Sequence, residues 1–157
     1  MSQEISQEDE KLLAKLSFSD KDFDKDMNLI NKDAKDKTII LFYSPMCGHC
    51  VRMKPEYIKL AKAALNGDFG NDVSVSAVNT SDERDLMQRI HAPDMINERE
   101  YIVMGVPTIV SYYKGQYYST YSADTDEEKK KNFRKLPDLI EYIQGIGSAP
   151  VTYVERR

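Results

Sequence analysis

Cys47 and Cys50 are the only cysteines of this 157-residue chain, and Gly48 and His49 stand between them. Thiols this close have three possible uses. A disulfide between residues so near in sequence closes almost no loop and would stabilise little. A structural zinc site usually takes four ligands, and only half of one is here. The other candidates are His49, held between the cysteines, and His91, read as a helix-end residue, so no metal is expected. The third use is redox chemistry, which a C-x-x-C pair suits when it lies where a strand gives way to a helix. The helix start offers unpaired N–H groups and partial positive charge, and both favour a thiolate. Cys47, at the turn, is then the exposed nucleophile. Cys50, a turn further on, is the buried thiol that attacks the mixed disulfide and releases the substrate. His49 is expected to add positive charge beside the Cys47 thiolate, which stabilises the reduced form and makes the disulfide a stronger oxidant. Gly48 adds no bulk between the sulfurs.

The flanking sequence predicts the elements that would place this pair. "TIILFY", Thr38–Tyr43, is a continuous β-branched and aromatic run, as expected of a buried central strand. A helix over Cys47–Leu65 follows, kinked at Pro55. Upstream, the pattern predicts a helix over 7–16, a short strand ending near Phe18, and a helix over Lys21–Ala34 with Phe23, Met27 and Ile30 on one face. Downstream, Val73–Asn79 alternates as a strand. The capping box Thr80–Glu83 opens a helix through Arg89. "GVPTIVSYY", "KGQ" and "YYSTY" form a hairpin, whose tyrosines are read as strand packing. Thr125 and Glu128 make another capping box, and Pro137 suits the first turn of a last helix. The fold class is α/β: a central mixed β-sheet flanked by helices on both faces.

Composition agrees with a globular chain, at 41% hydrophobic and 31% charged residues. A formal charge of −4 gives no drive toward nucleic acid or an anionic membrane. "EEKKKNFRK" is read as a solvated helix face. No apolar run approaches the ~18–20 residues that span a bilayer. The acidic start "MSQEISQEDE" does not resemble a secretory leader, and "VERR" is no ER-retention tetrapeptide. The expected location is therefore cytoplasmic, in the cytosol or in a particle assembled there.

The chain resembles the thioredoxin superfamily, and within it the catalytic domains of protein disulfide isomerases. The residues that carry the likeness are "LFYSPMCGHC", Pro55 eight residues after Cys47, and "GVPTI" before the "KGQ" turn. The likeness implies a thioredoxin-like domain over 16–147; the residues on either side are read as an N-terminal helical extension over 1–15 and a flexible tail over 148–157. It implies a cis Val106–Pro107 bond facing the dithiol, with Met46, Val106 and Pro107 forming the substrate-binding surface. It also implies cysteine-containing protein substrates, a thiol oxidase or reductase as redox partner, and no cofactor. Neither nucleic acid nor membrane is expected as a partner.

The departures matter as much. Met46 replaces the family's usual Trp. Leu41 stands where the family keeps a buried acid, Ala77 where a lysine often pairs with it, and Asp124 in the segment where disulfide isomerases carry an arginine. In the family these groups move the proton of the second cysteine, so release of a bound substrate is expected to be slow. Residues 92–101 are extra and read as inert loop. The leading function is a thiol–disulfide oxidoreductase. The rival is a binding module on the same fold with little turnover.

Overall fold

The run that leads to the cysteines forms the central strand β1 (Lys37–Tyr43), and every residue from Thr38 to Tyr43 is buried. The structure, a computed structural model, describes residues 6–90, 106–121 and 136–147. A strand packed on both faces cannot alternate apolar with polar, which is why this run is continuous. The strand β2 (Val73–Asn79) lies parallel to β1 on one side, and β3 (Thr108–Tyr113) lies antiparallel on the other. Beyond β3 runs β4 (Gln116–Tyr121), giving the order β2-β1-β3-β4. Lys114 and Gly115 join β3 to β4, both at positive φ, as a tight two-residue hairpin turn requires.

The helices cover both faces. On one face pack α1 (Gln7–Lys15), α2 (Gly48–Leu65) and α4 (Leu136–Gln144), separated in sequence by α3 (Arg84–Ile90) on the other. Alternation along β1 divides the core accordingly. Ile39, Leu41 and Tyr43 meet Tyr57, Leu60 and Leu139, whereas Ile40 and Phe42 meet Phe23, Met27 and Leu86. Leu13 of α1 is buried in the first of these cores, and Asp9 and Glu10 reach Lys62 and Lys54 of α2 at 2.8 and 3.5 Å.

The strand predicted to end at Phe18 is reduced to one bridge on the outer side of β2, where Phe18 N donates to Ala77 O at 2.8 Å. The helix predicted over Lys21–Ala34 is not formed. A single 3-10 turn, Asp20–Asp22, stands in its place. Asp24 Oδ1 accepts from the backbone N–H groups of Asp26 and Asn28, each at 2.9 Å, and Met27 takes a left-handed φ of 65°. Asp and Asn side chains compete for the backbone in this way, and here they defeat the helix. Arg89 of α3 then clamps the irregular segment, donating to the carbonyls of Asp20, Phe23 and Asp24 at 3.1, 3.2 and 2.6 Å. Phe23 and Met27 are buried as their spacing suggested, but Ile30 is exposed.

The helix after β2 forms without the expected capping box. Thr80 Oγ1 donates to Tyr43 O at 3.0 Å, and Glu83 Oε1 accepts from Asp20 N at 3.0 Å. Asn79 shapes the turn instead, its Oδ1 accepting from Ser81 N. His91, residues 92–101, Asp124, the Thr125–Glu128 box and the tail over 148–157 lie outside the described residues.

Candidate active site

The two cysteines lie where β1 hands over to α2. After Tyr43 the chain turns through Ser44, Pro45 and Met46: Ser44 Oγ accepts from Met46 N at 3.2 Å, and Ser44 O from Cys47 N at 3.1 Å. Cys47 is the N-cap of α2, with extended backbone (φ −92°, ψ 120°), and its Sγ accepts from Cys50 N at 3.3 Å. The sulfur thus takes one of the N–H groups that a helix start leaves over, a place usually filled by a Ser or Asp oxygen. A hydrogen bond accepted at sulfur and the positive end of a helix both favour thiolate over thiol.

Val106 faces this sulfur from the loop before β3. The Cys47 thiol donates to Val106 O at 3.5 Å, and the Val106–Pro107 peptide bond is cis. The two segments are 59 residues apart in sequence, and the antiparallel pairing of β1 with β3 brings them together. Cys47 is half-buried, Val106 and Pro107 likewise, while Gly48 and His49 are exposed and Met46 is 89% exposed. Cys50 is fully buried in the core formed by β1, β2, α2 and α4.

Among the described residues, the side chains that share the core with Cys50 are uncharged. Leu41 and Ala77 are direct partners in the β1–β2 register, and both are fully buried in the same core as Cys50. Among the described residues no carboxylate, ammonium or guanidinium group belongs to a buried residue. Tyr57 of α2 and Tyr43 of β1 are the buried phenols of this core, and Tyr57 is the deeper. Burial pushes its phenol well above the ordinary value, and its hydroxyl donates to Ser76 O. It is a neutral donor, not a base.

One neighbour of the pair was not anticipated. Arg52 Nη2 lies 2.6 Å from His49 Nδ1, at i,i+3 spacing on α2, with both side chains exposed. Helical spacing alone puts these two on one face, so the contact was within reach of a pattern argument. Among the described residues no three His, Cys, Asp or Glu side chains come together in a group that could hold a metal ion. No described helix is long and apolar enough to cross a membrane.

The fold and the Cys47–Cys50 turn define a class. The thioredoxin family model matches residues 14–135, and the chain belongs to that family. Among relatives, it is similar to protein disulfide-isomerase of Oryctolagus cuniculus, 32% identical over 122 residues, covering 76% of this chain and 20% of the relative. It is similar also to protein disulfide-isomerase of Saccharomyces cerevisiae, 30% identical over 118 residues, covering 75% and 18% of the two chains. The chain thus spans about a fifth of the length of these relatives. The first thioredoxin domain of mouse protein disulfide-isomerase A4 superposes with a TM-score of 0.56 at 25% identity, covering 85% of this chain and 75% of that one. Human ERp44 in a zinc-bound form shares the fold, with a TM-score of 0.58 at 19% identity over 85% of this chain and 30% of the other.

Proposed function

We propose that the chain catalyses thiol–disulfide exchange on cysteine-containing proteins, with Cys47 as nucleophile and Cys50 as resolving thiol. The observation that carries this is the asymmetry of the pair. Cys47 Sγ caps α2 within reach of solvent and 3.5 Å from Val106 O, while Cys50 is wholly buried. The Cys47 thiolate attacks one sulfur of a substrate disulfide. A Cys47–substrate S–S bond forms, the substrate's own S–S bond breaks, and the electron pair leaves on its other sulfur. Cys50 then gives up its proton and attacks Cys47 Sγ. A Cys47–Cys50 disulfide forms, and the substrate departs as a second thiolate, reduced by two electrons. The reverse sequence oxidises a dithiol substrate.

The surface suits an extended peptide. Once Cys47 is ionised, it no longer donates to Val106 O, which can then accept from a substrate backbone N–H. Pro107 has no N–H to compete, and the exposed Met46 offers a pliant apolar contact. A thiol oxidase or a reductase would reset the pair after each turnover. Disulfide isomerases lie near ~−180 mV, and cytosolic glutathione is poised at roughly −220 to −320 mV. In the proposed cytoplasmic setting the pair therefore rests as dithiol, and rapid alkylation in intact cells reads that state. A second reading, a binding module with little turnover, draws on the apolar pair Leu41–Ala77 behind Cys50. Insulin reduction with dithiothreitol separates the two. Catalysis that Cys47→Ser abolishes supports exchange; a wild-type rate no faster than dithiothreitol alone supports the binding module.

A further inference from the structure

Arg52 bears on the nucleophile although it is not one of the redox groups. A guanidinium has donors and no acceptor. With Arg52 Nη2 at 2.6 Å, the acceptor of this contact is His49 Nδ1, which places the ring N–H at Nε2. The same guanidinium lies over Gly48, where an added Cβ would come 3.5 Å from Nη1. It therefore rests against the residue bonded to Cys47. This placement opposes the local preference of a helix, whose N-terminal end favours anions. The first turn of α2 carries no acidic residue at all. An acid there would support the helix and repel a thiolate at Cys47. The charge pattern favours the thiolate at the helix's expense, as expected where function overrides local stability.

We propose that Arg52 is a positioning residue for the exchange step at Cys47, a role that rests on the function proposed above. It supplies a cation beside the loop and fixes His49 as the Nε2–H tautomer, leaving an N–H donor on the exposed ring for an incoming substrate. Neither residue transfers a proton or an electron; the bonds made and broken are those of the exchange itself. In this proposal the cation beside the Cys47 turn is the Arg52 guanidinium.

Two readouts on the full chain test this. Long-range proton–nitrogen spectra of the reduced protein, with His91→Gln to assign the rings, report the His49 tautomer. Alkylation by iodoacetamide in a Cys50→Ser background reports Cys47 alone. Wild type should show the Nε2–H tautomer. Arg52→Met should mix the tautomers and slow Cys47 alkylation about two- to fivefold near neutral pH, the range for an exposed charge close to a helix start. Arg52→Lys should recover part of that rate. An unchanged tautomer in Arg52→Met overturns the proposal. A changed tautomer with an unchanged rate overturns it too, because the contact would then be structural only. A wild-type pair that never exchanges would instead overturn the function, and that result is read without any Arg52 variant.

Discussion

The two sides of the Cys47–Cys50 pair are built on opposite principles. Outward, Met46, Gly48, His49 and Arg52 are exposed, and Cys47 takes a hydrogen bond from Cys50 N at the helix start and gives one to Val106 O. Inward, Cys50 shares a core with Leu41, Ala77 and the phenols of Tyr43 and Tyr57, both pushed up by burial. The outer half concentrates donors and positive charge where a thiolate must form. Among the described residues, the core that holds Cys50 contains no charged side chain, and in the proposed exchange that is where the second thiol loses its proton. On the proposed function, the first step of exchange is well served by this arrangement, and the second draws on no charged side chain among the described residues of the core. On the proposed function, attack and release are separable and set by different residues.

The contrast can be broken from the inside. Leu41→Glu puts a carboxylate among the residues that surround Cys50. It should speed release of a peptide linked through Cys47 and cost about 3–5 kcal/mol of stability as an unpaired buried charge. Release followed by gel shift, beside a denaturant melt, measures both. Adding Ala77→Lys should recover part of the lost stability, because positions 41 and 77 face each other in register. Unchanged or slower release in a folded Leu41→Glu protein would contradict the inner half of the account.

A smaller effect is expected at Tyr57. Tyr57→Phe removes the donor to Ser76 O and should cost about 1–2 kcal/mol near neutral pH. The sign of its pH dependence follows from burial. The folded value lies above the ordinary value of 10.0, so the unfolded chain ionises first. Stability is complete below that value and falls as pH rises above it. Tyr57→Phe should flatten this alkaline loss in melts across that range, and an unaltered slope would show that the phenol does not titrate as described. Smallest of all is Gly48→Ala. A Cβ there meets Arg52 at ordinary contact distance, so the change should be neutral or stabilise α2 by about 0.5–1 kcal/mol. A large loss on thermal melting would mean that the turn depends on glycine.

Much of this was legible in the residues alone, and for identifiable reasons. A strand buried on both faces must read as "TIILFY", and a hairpin with two positive-φ residues must have something like "KGQ" at its tip. The register partnership of Leu41 and Ala77 was implied by motif alignment, and the β1–β2 pairing bears it out. What escaped was settled by partners far away in sequence. Residues 21–34 have helical spacing of apolar positions, yet Asp24 turns the chain and Arg89 fastens it from 65 to 69 residues downstream. Thr80 and Glu83 fit a capping box, but their side chains are drawn to Tyr43 and Asp20. Periodicity records which side chains are apolar. It does not record which polar side chains find a carbonyl on another element. Arg52 escaped for a different reason: an exposed arginine on a helix looks like solvated surface until its partner is seen.

The most direct test of the asymmetry is to trap each half of the pair. Cys47→Ser and Cys50→Ser variants, incubated with a disulfide-bonded protein substrate and resolved on non-reducing gels, should behave oppositely. Cys50→Ser should accumulate a mixed disulfide through Cys47, because attack proceeds and resolution cannot. Cys47→Ser should accumulate none, because the buried Cys50 does not reach the substrate. Equal trapping by the two variants, or trapping by Cys47→Ser alone, would contradict the assignment of attack to the outer thiol and release to the inner one.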